Sequence, residues 1–73
     1  MSLFITIEGT QYVMGTRIPV QKIRDIYLKD MMDRGMIEDV YADVEEYSKS
    51  LGYRLTEDQV KRIIEEASGG DTT

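Results

Sequence analysis

The side chains able to carry chemistry are sparse in this chain. Histidine and cysteine are both absent, which removes the commonest base for a serine or threonine nucleophile and the usual ligands of structural zinc together. Ser48, Ser50 and Ser68 therefore lack a histidine partner. Glu45 and Glu46 are adjacent carboxylates, but acid and base work needs a cleft that raises one pKa, and their setting reads as a solvated helix face. What remains is the chemistry of recognition. Arg17, Lys22, Arg24 and Lys29 place positive charge in the first half of the chain, and Leu3, Phe4, Ile5 and Ile7 place an apolar strand at its start. These residues predict a protein that is no enzyme, holds no metal and no cofactor, and works by binding another macromolecule.

The net charge of −5 is unevenly divided: residues 1–35 carry five basic groups against four acidic ones, whereas residues 36–73 carry four against ten. An acidic surface repels phosphate, so double-stranded DNA, if bound, falls to Arg17, Lys22, Arg24 and Lys29 in the first half. The acidic half suits a basic, toxin-like protein partner. Each basic residue also has a structural reading. Arg17 can grip a phosphate or carboxylate, or equally hydrogen-bond carbonyls of the hairpin or of a neighbouring helix end. Lys22, Arg24 and Lys29 can be a solvated helix face balanced by Asp25 and Asp30. The five tyrosines read as core and interface residues, and the five methionines as adaptable packing.

These residues need elements to position them. Leu3, Ile5 and Ile7 alternate with Phe4 and Thr6, the period of a half-buried strand. A turn at Gly9 and Thr10 followed by Tyr12, Val13 and Met14 completes a hairpin. Pro19 opens a first helix running to about Asp33, with Val20, Ile23, Ile26, Tyr27 and Met31 on one face, and Gly35 ends it. A second helix from about Met36 to Leu51 buries Ile37, Val40, Tyr41, Val44, Ser48 and Leu51, and Gly52 caps it in a left-handed conformation. Thr56 and Gln59 match a capping box, opening a third helix that buries Val60, Ile63, Ile64 and Ala67. The fold class is α+β, mostly α: a short N-terminal β-hairpin or strand followed by three helices whose C-terminal pair is helix-turn-helix-like. Residues 1–67 make a single small domain, and 68–73 a disordered tail.

A chain of 73 residues buries a thin core, and with no disulfide or metal to staple it the remaining device is a second subunit. The apolar strand adds to that expectation, because a two-stranded unit does not cover it alone. The chain is thus read as a homodimer in which Leu3, Phe4, Ile5 and Ile7 form the interface by antiparallel pairing with the twofold mate. No run of about eighteen apolar residues is present, and Met1 to Ile7 is too short and uncharged for a signal peptide, which predicts a cytoplasmic protein without membrane contact.

Gly15-Thr16-Arg17-Ile18-Pro19-Val20, preceded by Gly9 and a short strand, resembles the signature of the domain-of-unknown-function family 433. A second element, Leu55-Thr56-Glu57-Asp58-Gln59-Val60, resembles the Leu-Thr-x-x-x-Val segment that opens the last helix in that family. Together they cover about residues 5–67. The resemblance departs at Gln11, where the family usually has proline, at Met14, where it usually has a basic residue, and over 39–54, which is longer. It implies a small helix-turn-helix protein of the antitoxin kind, paired with a ribonuclease-like toxin. The expected function is a small dimeric antitoxin-like regulator that binds a partner protein and operator DNA. The alternative is an interaction adaptor that binds protein alone, favoured by Glu57 and Asp58 at the start of the third helix, where a recognition helix would meet phosphates.

Overall fold

The computed structural model describes residues 3–68. Strands β1 (Phe4–Ile7) and β2 (Thr10–Val13) pair antiparallel and are followed by helices α1 (Val20–Asp33), α2 (Ile37–Ser50) and α3 (Glu57–Ser68). The α+β, mostly α architecture is the one that the sequence pattern predicts. Ser68, assigned to the tail, is instead the last residue of α3. Residues 69–73 of that tail lie outside the described residues.

The hairpin turns at Glu8 and Gly9, whose φ angles are 51° and 85°, with Ile7 directly opposite Thr10. Positive φ at both central residues of a two-residue loop is the mark of a type I′ turn, whose twist matches that of the strands. The turn therefore falls one residue before Gly9–Thr10. It brings Thr10 straight into the ladder, so β2 begins earlier than Tyr12 and stops before Met14.

Register then decides which side of the hairpin is buried. Phe4 faces Val13 and Ile5 faces Tyr12, and opposed residues share a face of the sheet. Val13 is buried and Phe4 packs against the core, so the inward side is that of Phe4 and Val13. Ile5 and Ile7, expected on a half-buried face, point away from the bundle at 43% and 51% exposure.

The segment that follows folds back as a clasp. Gly15 takes φ 80°, the Thr16 hydroxyl donates to the Val13 carbonyl at 2.8 Å, and the Ile18 amide donates to that same hydroxyl at 3.1 Å. Val13 in turn donates to the Ile18 carbonyl at 2.9 Å, and Tyr12 bridges Pro19. One outer edge of the sheet is thereby partly satisfied, and Ile18 is driven into the core with no exposure. Pro19, in extended conformation at φ −69° and ψ 134°, caps α1.

The three helices enclose one core of Val13, Ile18, Val20, Ile23, Val40, Val44, Val60, Ile63, Ile64 and Ala67. Ser48 lies among them without exposure, its hydroxyl donating to the Val44 carbonyl at 2.9 Å, so no buried donor is wasted. α2 ends in a Schellman motif: with Gly52 at φ 93°, the Gly52 amide reaches the Lys49 carbonyl at 2.9 Å and the Tyr53 amide reaches Ser48 at 3.0 Å. Leu51 is the C-cap there and is exposed. It leaves the buried stripe to which the spacing assigned it because the helical period stops at Ser50. The capping box of α3 forms in full, with the Thr56 amide donating to Gln59 Oε1 at 2.8 Å and the Gln59 amide to Thr56 Oγ1 at 3.2 Å.

Candidate functional site

Two surfaces gather most of the residues singled out by the sequence. The first is the outer face of the hairpin. Leu3 accepts a hydrogen bond from the Met14 amide at 2.8 Å, which extends the register so that Leu3, Ile5, Ile7, Tyr12 and Met14 share that face. Ile5, Ile7 and Met14 are all largely exposed and Leu3 and Tyr12 half-buried. Beside them runs a groove of about 760 Å³ lined by Ile5, Ile7, Glu8, Tyr12, Arg17 and Tyr53, among others. Of the four residues expected at a dimer interface, Leu3, Ile5 and Ile7 are on this face. Phe4 is a correction: its side chain belongs to the inward side and packs on the bundle, because adjacent strand residues point oppositely.

Arg17 is exposed at the end of the groove. Its backbone amide donates to the Tyr53 hydroxyl at 2.9 Å, which ties the clasp to the α2–α3 connection. Among the described residues its guanidinium has no ion pair. Glu8 lines the same groove. Tyr12, Met14 and Tyr53 were not singled out for this surface by the sequence, although Tyr12 and Met14 follow from the alternation once the register is known.

The second surface is the α1–α2 groove of about 270 Å³, which holds Lys22 and Lys29. Lys22 Nζ lies 5.5 Å from the centre of the Tyr47 ring, within cation–π range. The two lysines share the groove with Asp25, Asp30, Asp43 and Glu46, so carboxylates outnumber ammonium groups. Such a lining does not attract phosphate. Arg24 is not with them. Its Nε donates to the Ala67 carbonyl at 2.9 Å, and a cation there complements the C-terminal end of α3. The four basic residues thus do not form one patch: Arg17 stands in the hairpin groove, Lys22 and Lys29 between α1 and α2, and Arg24 against the end of α3.

Asp30 was read from sequence as a surface counter-charge, but it is 8% exposed. Its hydrogen bond with Asp43, then burial, then repulsion by Asp43 hold its pKa above the ordinary aspartate value, with Arg34 opposing. The signal was available in the spacing, since Asp30 falls seven residues after Ile23 and three after Tyr27 on the buried stripe.

The helix pair α2–α3 is joined by residues 51–56. At the first turn of α3 Glu57 and Asp58 are exposed. Lys61 pairs with Glu57 at 3.8 Å and sits 5.6 Å from the Tyr41 ring centre, so this cation is already engaged by its own neighbours. No helix among the described residues is long and apolar enough to cross a membrane. Comparison of the chain with family models, curated proteins and solved structures found no match.

Proposed function

We propose that this protein is a homodimeric, antitoxin-like regulator that acts chiefly by binding a basic protein partner. The observation that carries the reading is the apolar outer face of the hairpin, where Ile5 and Ile7 are roughly half exposed beside the exposed Met14. Apolar area of this kind, contiguous and rimmed by polar groups, marks an association surface. A second copy is the occupant best matched to it, because Arg17 and Glu8 flank the same groove. About a twofold axis each residue meets the other's counterpart, and this face offers opposite charges for two symmetric pairs. The acidic surface contributed by α2 and α3 stays free for a basic partner. The Gly15–Val20 resemblance supports the same role.

Sedimentation equilibrium at micromolar concentration tests the dimer, with the double change Ile5→Lys, Ile7→Lys placed on the outer face so that the Phe4 packing is left intact. The parent sediments as a dimer and the variant as a folded monomer. A parent that stays monomeric throughout rules out this mode of action. A second reading, direct binding of operator DNA, is favoured by one observation, the exposed guanidinium of Arg17, which has no ion pair among the described residues. A salt titration of DNA binding decides it: affinity that falls steeply with salt and weakens in Arg17→Ala supports DNA contact. Absence of binding at low salt leaves the protein-only adaptor.

A further inference from the structure

Asp30 Oδ2 is closed to solvent and has no hydrogen-bond partner among the described residues, in a residue that is more than nine-tenths buried and borders the α1–α2 groove. A buried unpaired carboxylate oxygen demands a cause, since burying charge without a donor is costly. Across the helix interface Asp43 lines the same groove as Asp30, and its carboxyl is the leading influence on the Asp30 proton. Two ionised carboxylates both accept and neither donates, so they make no bond as anions. One proton between them turns the same geometry into an O–H···O⁻ bond, which is short and strong.

Other cations fit the place poorly. No group of three or more carboxylates among the described residues is set to hold a metal ion, and a guanidinium or ammonium from outside does not reach an oxygen sealed from solvent. A proton does. The charged groups around the pair leave it under-neutralised: Arg34 of α1 opposes the charge, Asp39 of α2 adds to it, and the adjoining groove brings Lys22, Asp25 and Lys29 of α1 with Glu46 of α2. Arg34 is itself committed to Asp39 at 3.4 Å.

We infer that Asp30 and Asp43 form a proton-operated clasp between α1 and α2, which takes up one proton on acidification and thereby tightens the packing of the two helices. The device is separate from the hairpin face and holds whether or not that face is a dimer interface. It also removes one negative charge from the groove that contains Lys22 and Lys29, so the surface there becomes less acidic as the clasp closes. The sign follows from linkage. Asp30 holds its proton more tightly folded than unfolded, so its contribution to stability is present in full at low pH and is lost as pH rises through the native value.

The test compares thermal unfolding of the full chain with that of Asp30→Asn from about pH 4.5 to pH 7.5, alongside the carbon-13 carboxyl resonance of Asp30 in the parent. The asparagine amide donates permanently to Asp43, so the variant melts several degrees above the parent at neutral pH, and the gap closes on acidification. The Asp30 resonance titrates above the ordinary aspartate range. A gap that does not change with pH, or an Asp30 that titrates in the ordinary range, overturns the clasp. Magnesium or calcium at millimolar concentration is included as a further arm: a neutral-pH stabilisation by the ion that matches protonation and vanishes in Asp30→Asn would assign the pair to a cation instead. Should Asp30→Asn fail to fold, Asp43→Asn gives the same comparison, and the carboxyl titration of the parent stands without any variant.

Discussion

The helical bundle and the hairpin treat isoleucine in opposite ways. In the bundle Ile23, Ile63 and Ile64 are at most 4% exposed, whereas on the hairpin Ile5 and Ile7 keep about half their surface in water. Both regions use the same side chain, and both draw on the same hydrophobic driving force. In the bundle three amphipathic stripes face one another and satisfy that force internally. The hairpin has two faces and a single helical layer to pack on, so Phe4 and Val13 consume the available partner and the opposite face is left over. In a two-layer domain of this size, strand parity therefore separates the side chains that join the core from those left in water.

Substitutions that cross this division sharpen it. The largest effect belongs to the bundle: Ile64→Ala removes buried methylene groups and leaves a cavity, and should destabilise by about 2–5 kcal/mol in urea unfolding, whereas the exposed Glu46→Ala should change little. A variant Ile64→Ala that unfolds with the parent would erase the contrast. Next is the start of α3, where Thr56→Ala deletes a side-chain cap to the Gln59 amide and should cost about 1 kcal/mol, read from the denaturant midpoint. On the hairpin the sign reverses. Glu8 holds φ 51°, a left-handed conformation that asparagine tolerates better, so Glu8→Asn should raise stability by about 0.5–1 kcal/mol. The smallest change is that of Ile7→Lys, which should leave the stability of the dilute monomer within about 0.5 kcal/mol of the parent. Under the proposed dimer its effect is read instead in self-association, and a large loss of monomer stability would mean that the outer face is part of the core.

The helices could be placed along the chain to within a residue or so at their ends, because the signals that start and stop them are local. Pro19 presets an extended cap, Thr56 and Gln59 exchange hydrogen bonds three residues apart, and Gly52 adopts the left-handed angle that closes a Schellman motif. The buried stripes of Val40, Val44 and Ser48 and of Val60, Ile63, Ile64 and Ala67 were legible for the same reason, since a 3.6-residue period records one helix face. Leu51 broke the pattern where the helix ended. The candidate site was read less completely. Alternation along Leu3 to Ile7 showed that β1 has two faces but not which one the bundle would take, because both carry large apolar residues and only the register with β2, together with the position of α1, selects Phe4. Arg24 looks like a surface charge that nothing within a few residues distinguishes from Lys29, and the spacing that sets Asp30 on the buried stripe does not name the group it meets there. Their roles were decided by tertiary structure: Arg24 meets the Ala67 carbonyl 43 positions away, and Asp30 meets a second carboxyl on α2. Local dihedral and capping preferences act through neighbouring bonds and can be read along the chain, whereas the pairing of charges depends on which helix faces are brought together.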